Sequence, residues 1–186
     1  IQNLQIIDIS ADGKGIGKHN NLVVFVEGTV PGDIVDAFVY RKKSNFAEAR
    51  IEKLKSKSNF RTTPVCKHFG ICGGCKWQHL SYEKQLEFKQ KQVADAFERI
   101  GKLNFPEILP IIANSEKYFY RNKLEFSFSN KRWLTESELK QKENLNQNSL
   151  GFHIPGRFDK ILDIEECVVR HGCYSNIPDI YITSLS

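Results

Sequence analysis

Short runs rich in Val, Ile and Phe follow one another along the first fifty-odd residues: "LQIIDI", "NLVVFVEG", "DIVDAFVYRKK" and "FAEARIEKL". The breakers "ADGKGIGKHN" and "TVPGD" separate them, the pattern of successive strands joined by tight turns. Five or so short strands over that length predict a small closed antiparallel β-barrel of the oligonucleotide-binding type. "GKGIGK" lacks the G-x-x-x-x-G-K-S/T spacing of a phosphate loop, and strand signals rather than a helix follow it, so it reads as a glycine-rich hairpin. The polar connector "SKSNFRTTPVC" sets a boundary near residue 58.

The period then changes. Ser81 is placed to cap a helix in which Tyr82, Leu86, Val93, Phe97 and Ile100 share one stripe, with Gly101 as its stop. Such a helix is about 28 Å long. Its other face, with Lys84, Gln85, Lys89, Gln90, Lys91 and Gln92, is expected to be wet. Beyond Pro110 strand signals return: Leu124, Phe126 and Phe128 alternate, and "GFHI" and "FDKILDIEECVV" form partly buried runs. "TESELKQKENLNQNSL" between them predicts a loop or a short exposed helix. The expected class is α+β, with a barrel over 1–57 and a cysteine-bearing α+β domain over 58–186.

Composition narrows the setting. The 186 residues are 40% hydrophobic and 26% charged, enough for one ordinary core or two small ones. No stretch is apolar for the ~18 residues a membrane span needs, and "IQNLQIIDIS" lacks the basic start of a secretory signal. A cytoplasmic protein that does not enter membranes is expected. Beginning at Ile1 with no Met, the chain also reads as a trimmed piece of a longer product. The net charge of +5 decides nothing, but Arg41–Arg61 holds eight basic residues against Glu48 and Glu52. That density suits either a solvated surface or a stripe facing phosphates.

Five cysteines without an export signal suggest metal ligands or reactive groups rather than disulfides. Cys66, Cys72 and Cys75 are spaced C-x5-C-x2-C, and Gly73 and Gly74 let the last pair converge. A fourth ligand is required. Cys167 is the first candidate, followed by Cys173 and by His68, His79 and His171. The ligand patterns of zinc and of iron–sulfur clusters fit this spacing about equally. A nucleophilic role for Cys173 lacks any acid–base partner beyond His171.

The string "CKHFGICGGCKWQHLSYEKQLEFKQKQV", followed by "YRNKLEFSFS", "GFHIPG" and "DIEECVV", resembles the bacterial RNA uracil-5-methyltransferases of ribosomal and transfer RNA. "VVFVEGTVPGD" and "RKKSNFAEA" are similar to the TRAM domain that many of them carry. The resemblance implies a 4Fe-4S cluster on Cys66, Cys72, Cys75 and Cys167, and S-adenosylmethionine as methyl donor. It also implies a C-terminal doubly wound domain holding the donor site and the reacting cysteine. No G-x-G-x-x-G after a strand and no match to the nucleophile motif occur here, so this chain alone is expected to be inactive and to serve RNA capture. It is expected to be a monomer that takes ribosomal RNA ahead of transfer RNA.

RNA readers stack unpaired bases on aromatic rings while cations follow the phosphates. The candidate cations are Arg41, Lys42, Lys43 and Arg50 on the barrel, with Lys67, Lys76, Arg121, Lys123, Lys131 and Arg132 near the cysteines. The candidate stacking faces are Phe46, His68, Phe69, Trp77 and Trp133. Two other readings stand beside this one: a redox or radical iron–sulfur protein of the methylthiotransferase kind, and a zinc-stapled RNA-binding module. Radical enzymes of that kind use C-x3-C-x2-C, which the spacing here does not match.

Overall fold

The computed structural model describes residues 1–141 and 145–170. Contacts divide the chain into two compact units: Ile1–Thr63 with Trp77–Ala113, and Pro64–Lys76 with the chain from Asn114 onward. The cysteine loop is thus an excursion out of the first unit. A single cut at 57/58 does not describe this, because Trp77, Leu80 and Phe88 complete an apolar cluster with Ile9 and Val30.

In the first unit, β1 (Leu4–Ile9), β2 (Gly15–His19), β3 (Leu22–Glu27), β4 (Ile34–Lys42) and β5 (Phe46–Ser56) close a barrel in the order β1-β2-β3-β5-β4. Alternation drives it: Leu4, Ile6, Val24, Val26, Val35, Ala37, Ala47 and Ala49 all point inward as one core. The expected all-antiparallel pairing is corrected at one seam, where β3 and β5 run parallel, Val24 opposite Ala47. A barrel of five strands in this order brings β3 and β5 together in that sense. The glycine-rich run forms β2, and its composition is a packing demand. A Cβ on Gly15 would sit 2.0 Å from Thr29 Oγ1.

Asp33, fully buried, fastens the turn before β4. Its carboxylate accepts the N–H groups of Val30 (2.8 Å) and Ser58 (3.0 Å) and the Arg61 guanidinium (2.7 Å). The helix α1 (Tyr82–Asp95) runs on into a π-helical turn, Ala96–Gly101. Ser81 sits at its start but makes no side-chain cap, and Lys102, not Gly101, takes the left-handed φ of 50° at its end. The packed face also differs from the apolar stripe. Phe88 is buried, while Gln85 donates to the carbonyls of Trp77 (3.1 Å) and Leu80 (2.8 Å), and Gln92 to that of Ile9 (2.9 Å). Val93, Phe97 and Ile100 are exposed, Ile100 at 84%.

In the second unit β6 (Ser127–Ser129), β7 (Ser149–Ile154) and β8 (Arg157–Asp163) form an antiparallel sheet in that order, with α2 at Glu136–Gln141. Among the described residues, Leu150, Ile161, Leu162, Ile164, Cys167 and Val168 are its buried apolar side chains, a small core. The strand expected from Leu124 begins only at Ser127. Phe126 meets Phe152 through its ring instead, centroids 4.9 Å apart.

Candidate metal centre and nucleic-acid interface

The cysteine loop is built by its own backbone. Phe69 N–H donates to the Cys66 carbonyl (3.1 Å), and the N–H groups of Ile71 and Cys72 both donate to the His68 carbonyl, at 3.2 and 2.9 Å. These turns leave amides aimed at sulfur: those of His68 and Phe69 at Cys66, and that of Gly74 at the Cys72 sulfur, 3.3 Å away. Gly73 presses its backbone against the end of β7, where a Cβ would stand 3.1 Å from the His153 carbonyl oxygen. The remote cysteine arrives on the segment after β8. There the carbonyls of Val168 and Val169 accept the N–H groups of Phe119 (2.9 Å) and Arg121 (2.8 Å). Lys67, beside Cys66, is ion-paired with Glu165, two residues before Cys167.

None of the four cysteines is in a disulfide. Burial pushes the Cys66 thiol up, and the neighbouring Cys75 and Cys167 push it further, against the pull of the two amides. Burial likewise raises Cys72, with Cys75, Cys66 and Cys167 adding to it and the Gly74 amide opposing. No group of three or more His, Cys, Asp or Glu among the described residues is gathered as a ligand shell for one metal ion. Cysteine sulfur with amides directed at it, as at Cys66 and Cys72, is the donor type of a thiolate-bound centre, in which a cation would offset the charge that ionised thiols bring together.

Of the other proposed ligands, His79 lies in the first unit, buried, its Nε2 3.2 Å from the Thr29 carbonyl oxygen. His68 is half-buried in the cysteine loop, and burial holds its imidazole below the usual value. His171 and Cys173 lie outside the described residues.

On the barrel, β4 and β5 carry the expected cations outward. Arg41, Lys42, Lys43 and Arg50 are all exposed. Three are already engaged: Arg41 binds Glu48 (3.0 Å), which Lys14 also holds (2.8 Å), Arg50 lies 5.0 Å over the Phe38 ring, and Lys43 faces a ring as well. Lys43 stands 5.7 Å over Phe46, which meets Phe25 edge to face. Phe38 and Tyr40, absent from the expected stacking set, are the large aromatic side chains most exposed on these strands, at 47% and 46%. They could have been found as the outward positions of the alternating "DIVDAFVY" run. Trp77 is withdrawn from the stacking set, because its ring is 8% exposed in the apolar cluster under the barrel.

In the second unit Lys67, Arg121 and Lys123 are exposed, Lys123 beside Glu125 at 2.9 Å. Arg132 is committed internally, to Glu138 at 2.5 Å, and is withdrawn as a phosphate contact. Trp133 is half-buried, its backbone N–H on the Ile161 carbonyl (2.7 Å), and Phe69 is half-buried within the cysteine loop.

A closed five-stranded barrel of this strand order, cationic and aromatic on its outer face, places the first unit in the oligonucleotide-binding class. A TRAM domain profile matches residues 1–52. The chain is 54% identical over 170 residues to an uncharacterized RNA methyltransferase of Bacteroides thetaiotaomicron, an alignment covering 91% of this chain and 37% of that one. It is 46% identical to another from Porphyromonas gingivalis, over 88% of this chain and 36% of that one. Among solved structures, the Pyrococcus abyssi tRNA (uracil-54, C5)-methyltransferase in complex with S-adenosyl-L-homocysteine is similar, with 26% identity and a TM-score of 0.51 over 91% of this chain and 33% of that one. The chain is thus similar over about nine-tenths of its length to proteins named RNA methyltransferases, and it carries a TRAM domain at residues 1–52. It spans little more than a third of the length of the relatives it matches.

Proposed function

We propose that this chain is the RNA-capturing part of an S-adenosylmethionine-dependent RNA uracil-5-methyltransferase, with a 4Fe-4S cluster held by Cys66, Cys72, Cys75 and Cys167. The observation that carries the reading is the joining, in one chain, of an oligonucleotide-binding barrel with a cysteine loop, Cys66, Cys72 and Cys75, packed through Gly73 against the end of β7, and with Lys67 of that loop ion-paired to Glu165 beside Cys167. A cluster spreads its sulfurs over a wider frame than a single ion does, and backbone amides directed at sulfur are among the features that set its potential. When bound it would supply a rigid inorganic staple to a unit whose own core is small. This chain's residues would orient the sulfurs and offer cations to the phosphates. Methyl donor and reacting cysteine would belong to the longer polypeptide, acting in the cytoplasm.

The test is anaerobic purification followed by iron and sulfide analysis. About four of each per chain is expected, and Cys167→Ser should abolish both, while Cys173→Ser should leave them. Stoichiometric zinc without sulfide would replace the cluster by the zinc-stapled reading. Filter binding to a ribosomal RNA stem-loop and to a transfer RNA separates the two RNA classes; binding to neither would defeat the RNA reading itself.

A further inference from the structure

The outer face of the barrel holds a feature that the basic stripe does not account for. On β4, Phe38 and Tyr40 are two residues apart and point outward, about 7 Å from one another along the strand. Neither ring is loose. The Arg50 guanidinium covers one side of Phe38 at 5.0 Å, and the Tyr40 hydroxyl donates to Glu27 Oε1 at 2.7 Å. The pairing explains why these partners meet: Arg50 on the central strand β5 lies opposite both Glu27 of β3 and Phe38 of β4.

The ladder also breaks at this spot. Val39 pairs with Ala49 and Arg41 with Glu48, so Tyr40 is one extra residue, a β-bulge. Bulges bend a strand and re-aim a side chain, commonly beside functional sites. Here the bulge turns both Tyr40 and its neighbour Arg41 outward, each onto its own carboxylate. The carboxylates facing the site are Glu27, bonded by Tyr40, and Glu48, held by Lys14 and Arg41. With Lys42 and Lys43 exposed at the strand end, cations outnumber them.

We propose that Phe38 and Tyr40, fixed on the outer face of β4 by Arg50 and Glu27, stack two consecutive unpaired RNA bases whose phosphates run past Lys42 and Lys43. Exposed rings on a sheet surface are how sheet-type readers hold two or three bases of a single strand. Rings held in place before binding lose little freedom when a base arrives. The inference rests on the RNA-capturing reading above and adds to it where on the barrel the bases lie.

The test uses the 186-residue chain, a short fluorescent oligouridine and an abasic ribose-phosphate oligomer of equal length. Phe38→Ala and Tyr40→Ala should each weaken oligouridine binding about tenfold, the loss of one stack, with the salt slope unchanged. Neither should alter the weaker abasic binding. Phe38→Trp should restore the affinity, and Tyr40→Phe, which keeps the ring but loses the Glu27 bond, should fall by only a few-fold. Lys42→Ala should weaken both probes and lower the salt slope by about 0.7. Thermal melts by circular dichroism check that each variant is folded.

Wild-type affinity in folded Phe38→Ala and Tyr40→Ala would overturn the site while leaving RNA capture standing. So would an equal loss on the abasic probe. A dimer that Phe38→Ala dissolves would show the rings to be a self-contact and overturn it too. If the wild-type chain binds neither these probes nor structured RNA, the RNA-capturing reading falls and takes this site with it.

Discussion

Asp33 is a carboxylate with no access to water, and its surroundings explain how it stays so. The two backbone amides and the Arg61 guanidinium occupy its lone pairs, while Arg61 also reaches the Gly28 carbonyl at 2.8 Å. Asp33→Ala would strand the half-buried Arg61 cation and two amides. It should therefore destabilise the barrel by about 3–5 kcal/mol, the usual result of removing one partner of a buried pair, read from the urea midpoint. Glu138 shows the same logic at the surface of the second unit. The Thr135 backbone N–H at 2.8 Å, the Thr135 hydroxyl and the nearby Arg132 cation hold its carboxyl below the ordinary 4.5. A depressed carboxylate stabilises the fold above its unfolded value, and that contribution is lost as pH falls through the folded one. Unfolding of the second unit, followed from about pH 6 down to about pH 3, should be steeper in acid for the native chain than for Glu138→Gln. An identical acid limb would mean that this carboxylate is not coupled to folding.

Elements show where pattern reading held and where it failed. Alternation placed four strands of the barrel, because inward Val, Ile and Ala against outward Lys and Glu is an unambiguous period of two. The parallel seam between β3 and β5 was not legible, since strand order is a long-range property that no local run encodes. The helix was placed correctly but its buried face was not. Counting only apolar positions selects Val93, Phe97 and Ile100, whereas Gln92 answers the carbonyl of Ile9 at the end of β1, and Gln85 those of Trp77 and Leu80 in the turn before the helix. The two assignments predict opposite results. Phe88→Ala should lower stability by about 3–5 kcal/mol, and Ile100→Glu should change it by less than about 0.5 kcal/mol, both measured by denaturant unfolding of this chain. If Ile100→Glu were the costlier change, the stripe read from periodicity would be the packed face after all.

At the scale of the molecule, two cores of different strength stand in one chain. The barrel and α1 bury two apolar clusters of their own. The second unit has a three-stranded sheet, few buried apolar residues and a long irregular approach to β6. The cysteine spacing groups Cys66, Cys72 and Cys75 in one short loop. What spacing could not foretell is that the segment after β8, which bears Cys167, is bonded through its backbone to residues 119–121. If the sulfurs are bridged by a metal centre, as proposed, its binding energy is folding energy for this unit and not for the barrel. Hydrogen exchange on anaerobic Cys167→Ser should therefore show fast amides across 64–76 and 119–170, with the amides of β1 to β5 protected as in the native chain. Chelation of the native chain should reproduce the same map. Uniform loss of protection would mean that the centre supports both units, and unchanged protection throughout would mean that the second unit folds on its apolar core alone.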